Sequence, residues 1–268
     1  MTIGVRAHDY GKQPVGNLLR AIADDGWQAI QLAFPKAAEG VDTFAGVTPG
    51  IIKDTMAGLA ETGLSVAVLG VYVEPSLTDE TARKEQSGIL YAALPQAKEL
   101  GAGCVGTETT SMRANTARND ALSQLRRSLE ELLPEAERLG VNLALEPVHH
   151  HTLNTPELTR ELLREMSSPR LKVIFDPVNL LRPEDIDAQE PLWARCIDCF
   201  GEHIIAVHIK GASREAAGGI LRDASFADSA VNHQALFHFL RELKVPILRE
   251  MAVPSDAERD IAFLRSLM

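Results

Sequence analysis

The chain has 268 residues and carries 37 acidic against 27 basic side chains, so its formal charge is −10 with histidine neutral. Hydrophobic residues make up 45% and charged residues 24%, which is typical of a soluble globular protein. The acidic surplus disfavours a nucleic-acid-binding surface, which needs clustered Lys and Arg. Residues 64–73 form the longest apolar run, about half of the roughly 20 residues that span a membrane, and the N-terminus lacks a signal-peptide pattern. We therefore expect a cytoplasmic protein without nucleic-acid or membrane partners.

Short runs of β-forming residues alternate with amphipathic segments along the chain. The runs predict eight strands, at residues 3–7, 29–33, 64–73, 104–107, 141–146, 171–176, 204–209 and 246–251. The segments predict eight helices, at residues 15–25, 48–62, 79–100, 116–139, 155–166, 191–201, 232–243 and 256–268. Thr155 before Pro156 is typical of a helix N-cap. Glycine follows four helical runs, where a left-handed residue often ends a helix: Gly26, Gly63, Gly101 and Gly140.

Strands that alternate with helices predict a parallel sheet with right-handed crossovers. An open, doubly wound sheet is the alternative, but no G-x-G-x-x-G follows the first strand. Eight units of about 33 residues each favour closure of the sheet. We therefore predict an α/β protein whose residues 1–268 form a single (β/α)8 TIM-barrel domain. In such barrels the chemistry lies at the C-terminal ends of the strands, so polar residues there are the candidates.

Four polar residues at predicted strand ends form a coherent set. Glu146, Asp176, His208 and Glu250 come one each from strands five to eight, at separations of 30, 32 and 42 residues. These spacings match one strand–helix unit each, with an insertion before the last. Neighbouring strands lie about 5 Å apart, so the four side chains can face one space. The alternative for each acid is a cap, turn or ion pair, and for His208 a packed interior position.

Three carboxylates gathered without compensation would raise one another's pKa values. A divalent cation removes that repulsion. Three oxygen ligands and one imidazole suit Mn²⁺, Mg²⁺, Co²⁺ or Zn²⁺, with open positions for a ligand. We therefore predict one divalent metal ion as the cofactor.

Weaker candidates lie at the other strand ends. Lys210 comes two residues after His208, so it shares the face of that strand and can hold an anionic or hydroxylated ligand or pair with the carboxylates. Three histidines follow one another at residues 149–151, and at most His149 or His151 can reach the site. We expect six residues to bind substrate: His8, Glu108, His151, Asn179, Lys210 and Arg222.

Three cysteines, Cys104, Cys196 and Cys199, make an odd number without a disulfide-framework spacing, which favours a reducing compartment. Cys196 and Cys199 form a C-x-x-C, a pattern of metal or redox sites. They lie in a helix-like stretch with no second pair, so we predict that they pack as ordinary helix residues.

The chain resembles the xylose-isomerase-like TIM barrels, in particular the sugar phosphate isomerase/epimerase group. The resemblance covers nearly the whole sequence and is carried by AIQLAF, LGVYVEP, VGTETT, LALEPV, VIFDPVNLL and VHIK in that order. It implies a divalent metal bound by Glu146, Asp176, His208 and Glu250. It also implies that the two glutamates act as an acid/base pair on opposite faces of the substrate.

The sequence departs from this family in three places. Asn179 stands where some members have His, Gly211 follows Lys210 where many have Asp, and SFADSAVNH replaces a Gly-rich turn. These changes affect the substrate and any phosphate-binding role, and they leave the metal ligands in place.

We therefore expect a metal-dependent isomerase or epimerase of a small sugar or polyol-ketone, which can form a homo-oligomer. The metal would polarise the carbonyl, one glutamate would remove a carbon-bound proton, and the cation would stabilise the resulting enediolate. Return of the proton to the other face gives an epimer, and return to the neighbouring carbon gives an isomer. The alternatives are dehydration of an inositol-like ketone, endonuclease-like cleavage of damaged DNA, and sugar binding without catalysis.

Overall fold

Eight parallel strands close into a barrel in this computed structural model. The structure describes residues 1–215 and 219–268, except for the side chains of residues 220–223. The barrel strands follow one another around the ring in chain order, and the last pairs with the first. They are β1 (Ile3–Arg6), β2 (Ala29–Leu32), β3 (Ser65–Gly70), β4 (Cys104–Glu108), β5 (Leu143–Glu146), β6 (Leu171–Phe175), β7 (Ile204–Ile209) and β10 (Ile247–Arg249). The prediction of a (β/α)8 TIM barrel is confirmed.

Helices connect the strands, and a hairpin follows β7. The hairpin consists of β8 (Gly211–Arg214) and β9 (Ile220–Ala224), which pair antiparallel. The helices of the described residues are α1 (Val15–Asp24), α2 (Phe34–Ala37), α3 (Pro49–Thr62), α4 (Glu80–Glu99), α5 (Arg118–Leu139), α6 (Pro156–Met166), α7 (Gln189–Phe200), α8 (His233–Leu240) and α9 (Ala257–Leu267). None of these helices is long and apolar enough to cross a membrane.

The local signals for helix ends act as the sequence predicts. Thr155 caps α6, because its Oγ1 accepts a hydrogen bond of 3.2 Å from the backbone N–H of Leu158. Each of the four glycines that follow helical runs has a positive φ, between 62° and 93°, which costs glycine little. Cys196 is buried in α7, and both cysteines of the C-x-x-C are free thiols, as expected for packing residues.

Two layers of apolar side chains build the core. The larger layer lies between the strands and the surrounding helices, and the smaller one fills the inside of the barrel. The inner layer is made mostly of small side chains, since eight strands leave little room there. Its members are Ala29, Ala67, Val68, Cys104, Ala144, Ile174, Ala206 and Leu248.

The sequence pattern did not predict two elements, α2 and the β8–β9 hairpin. Helix α2 has four residues, which is too short for a helical periodicity to show. The hairpin lies in the long segment after β7. The wide spacing between the last two barrel strands predicts an insertion there but not its structure.

Candidate metal centre

The four predicted metal ligands continue the inward-facing rows of the barrel strands. Side chains on a strand alternate between its two faces, so residues two apart share a face. Each predicted ligand comes two residues after a member of the inner layer and therefore emerges above it at the C-terminal mouth of the barrel. The pairs are Ala144 and Glu146, Ile174 and Asp176, Ala206 and His208, and Leu248 and Glu250.

Glu146, Asp176 and His208 offer three ligand atoms that lie within 4.8 Å of one another. All three side chains are buried, with exposures of 4%, 0% and 1%. Asp176 is held in place by its Oδ1, which accepts hydrogen bonds of 2.8 Å from the backbone N–H groups of Val178 and Asn179. The two oxygens and one nitrogen thus form a buried donor set from three neighbouring strands.

Glu250 also contacts this set. Its Oε1 lies 3.2 Å from Nδ1 of His208, and Oε2 of Glu146 lies 3.1 Å from the same nitrogen. The two glutamates therefore meet at one nitrogen of the imidazole of His208. Arg6 at the end of β1 also approaches Glu250, with 3.7 Å between Nη1 and Oε1.

Lys210 joins the acids of this cluster. Its Nζ lies 2.7 Å from Oδ2 of Asp176 and 2.7 Å from Oε2 of Glu250. An ion pair within the carboxylate cluster was the alternative to ligand binding for Lys210, and it is the arrangement found. The ammonium group thus balances part of the negative charge.

The donor set fits a divalent cation. Nε2 of the buried His208 has no hydrogen-bond partner among the described residues. Nδ1 of His208 contacts the two glutamates, and Oδ2 of Asp176 contacts Lys210. A buried polar atom without a hydrogen bond costs about 1–3 kcal/mol. Coordination of a cation by the imidazole would remove that cost, and the mixture of carboxylate and imidazole ligands is suited to Mn²⁺, Mg²⁺, Co²⁺ or Zn²⁺.

The charges of the cluster shift its protonation equilibria strongly. Burial lowers the pKa of His208, but Glu146 and Glu250 outweigh burial and raise it to about 9. Burial also lowers the pKa of Lys210, and the carboxylates of Asp176 and Glu250 raise it above its usual range. Burial raises the pKa of Glu250, while Lys210, His208 and Arg6 lower it well below its usual range. Glu250 is therefore an anion among cations.

Glu108 and His151 lie near each other beside the cluster. Oε2 of Glu108 is 3.7 Å from Nδ1 of His151. Burial, followed by the charges of Glu146 and Glu250, raises the pKa of Glu108 to about 7. Burial, followed by His150, lowers the pKa of His151 to about 4. These residues line a cavity of about 390 Å³.

The remaining predicted substrate-binding residues differ in position. Asn179 donates a hydrogen bond of 2.6 Å from Nδ2 to Oε1 of Glu146, so it contacts a predicted ligand directly. His8 follows β1, and its ring centroid is 6.1 Å from that of Tyr72. Burial, then the charges of Arg6 and Lys36, lower the pKa of His8 to about 3. The side chain of Arg222 lies outside the described residues.

Sequence reasoning missed three residues of the mouth: Arg6, Lys36 and Tyr72. Arg6 and Tyr72 each come two residues after a glycine on a barrel strand, Gly4 and Gly70, so the same alternation would have found them. Lys36 belongs to α2, and its Nζ lies 3.4 Å from the centre of the Tyr72 ring. Its position depends on the short helix that the sequence pattern did not predict.

This chain is similar to several known proteins in sequence or in structure. Fructoselysine 3-epimerase from Escherichia coli O157:H7 is 28% identical over 200 residues, which cover 67% of this chain and 70% of that protein. The crystal structure of 3-keto-D-glucoside 4-epimerase from E. coli is 19% identical, with a TM-score of 0.75 over 99% of both chains. A xylose isomerase-like TIM barrel protein from Mycobacterium smegmatis, solved in complex with magnesium, is 18% identical, with a TM-score of 0.72 over 99% of this chain and 96% of that one.

The family model described as the xylose isomerase-like TIM barrel matches residues 19–267, which is nearly the whole chain. This chain therefore belongs to the family of xylose isomerase-like TIM barrels.

Proposed function

We propose that this protein is a divalent-metal-dependent epimerase of keto sugars. The observation that carries the proposal is the convergence of Glu146, Asp176 and His208 at the barrel mouth, with Glu250 in contact with the same imidazole. The similarity to fructoselysine 3-epimerase supports the substrate class. The name of that enzyme, like that of the 3-keto-D-glucoside 4-epimerase, describes inversion at a carbon beside a ketone.

Glu146 and Glu250 are placed to exchange protons with such a carbon. Their oxygens lie 3.1 and 3.2 Å from the same ring nitrogen of His208, and they come from β5 and β10, which β6 and β7 separate in the ring. We propose that a substrate bound between them meets one carboxylate at each face. One glutamate removes the proton beside the ketone, and the other returns a proton to the opposite face, which inverts the carbon. General acid–base catalysis of this kind contributes about 10²–10⁴-fold to the rate.

The surrounding residues hold the two glutamates differently. Burial raises the pKa of Glu250, but Lys210, His208 and Arg6 lower it below its usual range, so Glu250 is ionised, which is the form that a general base needs. Asn179 donates to Oε1 of Glu146 and fixes the direction of that carboxylate. We assign proton removal to Glu250 and proton return to Glu146 for one direction of the reaction, with reversed roles for the other.

A divalent cation bound by Glu146, Asp176, His208 and Glu250 would supply Lewis-acid polarisation of the ketone and an adjacent hydroxyl group. His8, Glu108 and His151 surround the same mouth and would bind the remaining hydroxyl groups of the sugar. Glu108 is suited to this role because its raised pKa lets it donate as well as accept hydrogen bonds near neutral pH. Arg222 remains a predicted substrate contact.

Solvent exchange tests the proposal. The protein, loaded with Mn²⁺, Mg²⁺, Co²⁺ or Zn²⁺ in turn, is incubated in D₂O with D-fructose, D-tagatose and a 3-keto-glucoside, and NMR follows deuterium and new epimers. We expect deuterium at the carbon beside the ketone together with an inverted product. Glu146→Gln and Glu250→Gln are each expected to lower the rate about 10²-fold or more. Glu202→Gln serves as the control, since its side chain is 88% exposed.

Other outcomes would assign a different role. Loss of water from an inositol-like ketone without epimer formation would indicate a dehydratase, and sugar binding without exchange would indicate a binding protein. Wild-type exchange in a Glu146→Gln, Glu250→Gln double variant would refute the acid/base assignment.

A further inference from the structure

A second cavity opens next to the mouth, on the side of β2 and β3. Its volume is about 320 Å³, which lies at the lower end of the volume range of ligand pockets. The cavity lies beyond the metal centre and contains none of its four acid and histidine side chains. Its apolar lining includes Ala33, Phe44, Val71, Val73 and Ile89.

Tyr72 and Lys36 connect this cavity to the proposed active site. Both line the cavity, and Tyr72 also lines the neighbouring cavity that contains Glu108 and His151. The ring of Tyr72 also lies 6.1 Å, centroid to centroid, from that of His8, which follows β1. A molecule held at the metal centre can therefore extend past Tyr72 into the apolar cavity without leaving the protein surface.

Several polar groups around the cavity already have partners within the protein. Asp42 pairs with Lys12 at 2.7 Å, and Oε1 of Gln86 accepts a hydrogen bond of 3.1 Å from the backbone N–H of Glu74. The ammonium group of Lys36 lies over the Tyr72 ring, a favourable cation–π contact. The apolar side chains are therefore the larger part of the surface left for a ligand, and they favour an apolar group over a free hydrophilic sugar.

We infer that the keto sugar processed here carries an apolar or aromatic substituent, and that this substituent occupies the cavity between Phe44, Val73 and Ile89. The inference rests on the proposed function and narrows its substrate class. Lys36 and Tyr72 separate the two parts of the site, so the sugar lies on one side of the Tyr72 ring and the substituent on the other. Burial of the substituent removes apolar surface from water and strengthens binding.

Matched substrates that differ only in the size of the substituent test this inference. We propose to compare 1-benzylamino-1-deoxy-D-fructose with its methylamino counterpart, and phenyl with methyl 3-keto-β-D-glucoside. In wild-type protein we expect kcat/KM for the aromatic member to exceed that of the methyl member by about tenfold or more in at least one pair. Calorimetry with phenyl and methyl β-D-glucoside measures the same preference as binding, independently of turnover.

A cavity-filling variant tests the location. Ile89 lies on α4 at the cavity wall and is half-buried, so Ile89→Trp fills the cavity from its rim. The aromatic-to-methyl ratio is expected to fall to about one in this variant. Tyr91→Trp is the matched control on the same helix, because Tyr91 is 47% exposed and lines neither cavity. The control is expected to keep the wild-type ratio.

The two proposals can fail separately. Exchange with both members of each pair at equal kcat/KM, together with equal binding of the two glucosides, would overturn the inference and leave the epimerase proposal intact. A wild-type preference that persists in folded Ile89→Trp would place the substituent elsewhere and overturn the assignment to this cavity. No exchange with any keto sugar would refute the proposed function itself.

Discussion

Asn179 illustrates how one side chain can set the direction of a catalytic group. Asn179 lies three residues after Asp176. Its backbone N–H donates a hydrogen bond to Asp176, and its side-chain amide donates one to Glu146. One residue therefore fixes a carboxylate from each of two neighbouring strands. This makes Asn179 a positioning residue for the proposed acid/base pair.

Replacement of Asn179 by Ala is expected to lower kcat about tenfold or more with little change in KM. The reason is that a hydrogen bond to a charged group contributes about 1.5–3 kcal/mol, and 1.4 kcal/mol corresponds to a factor of ten in rate. Steady-state kinetics with the best keto sugar measures the split between kcat and KM.

Asn142→Ala is the control for this change, because the Asn142 side chain donates to the backbone of Gly103 at the other end of the barrel. A loss confined to KM in Asn179→Ala, or an equal loss of kcat in the control, would contradict the positioning role.

The spacing along the chain was enough to predict that Glu146, Asp176, His208 and Glu250 lie together. Each stands at the C-terminal end of a strand, and side chains alternate between the two faces of a strand, so the four face the same mouth of the barrel. The same reasoning left open whether Lys210 would bind a ligand or pair with the acids. Ion pairs depend on the lengths and rotamers of side chains from different strands, and neither is encoded in the spacing.

At the scale of elements, strands and long helices follow from the sequence because their apolar periodicity extends over several turns or pleats. Their ends shift by a few residues: β3 is Ser65–Gly70 within the predicted 64–73, and α8 ends at Leu240 rather than 243. Such ends are decided by caps and neighbours rather than by periodicity. Helix α2 and the β8–β9 hairpin follow from tertiary surroundings that the local sequence does not describe.

The N-cap of α6 gives a prediction at this scale. Thr155→Ala is expected to lower the free energy of unfolding by about 1 kcal/mol, because the backbone N–H of Leu158 loses its acceptor. Urea unfolding followed by circular dichroism measures the change.

Thr155→Ser, which keeps the hydroxyl group, is expected to retain most of the stability. An equal loss in both variants would show that the methyl group, and not the cap, stabilises this helix end.

For the whole molecule, His233 links three elements of the C-terminal part of the barrel. It lies at the start of α8, its Nε2 is 3.2 Å from the backbone oxygen of Lys210, and its ring packs against Phe226 and Phe263. Burial, with a contribution from Arg249, lowers its pKa from 6.5 to about 4. The unfolded chain therefore binds a proton at His233 at a higher pH than the folded protein does.

The stability of the fold should consequently fall in acid. His233 contributes fully above about pH 6.5, and its contribution is lost progressively as the pH falls towards 4. The total effect is at most about 3 kcal/mol, since one pKa unit corresponds to 1.36 kcal/mol. Urea unfolding at pH 7, 6 and 5 is expected to show a smaller pH slope in His233→Gln than in wild type.

His238→Gln changes an exposed histidine of the same helix and should leave the slope unaltered. A wild-type slope in His233→Gln would show that other groups cause the acid sensitivity.

The whole account depends on a cation bound by residues from β5, β6, β7 and β10, and metal content measures this most directly. After loading with Mn²⁺ and removal of excess metal, elemental analysis is expected to find one ion per wild-type chain. Folded Asp176→Asn and His208→Gln variants are expected to retain less than about a tenth of the wild-type metal content, because each loses a ligand. The control Glu202→Gln is expected to retain one ion per chain. A wild-type chain that binds no metal, or variants that keep a full ion, would contradict the account.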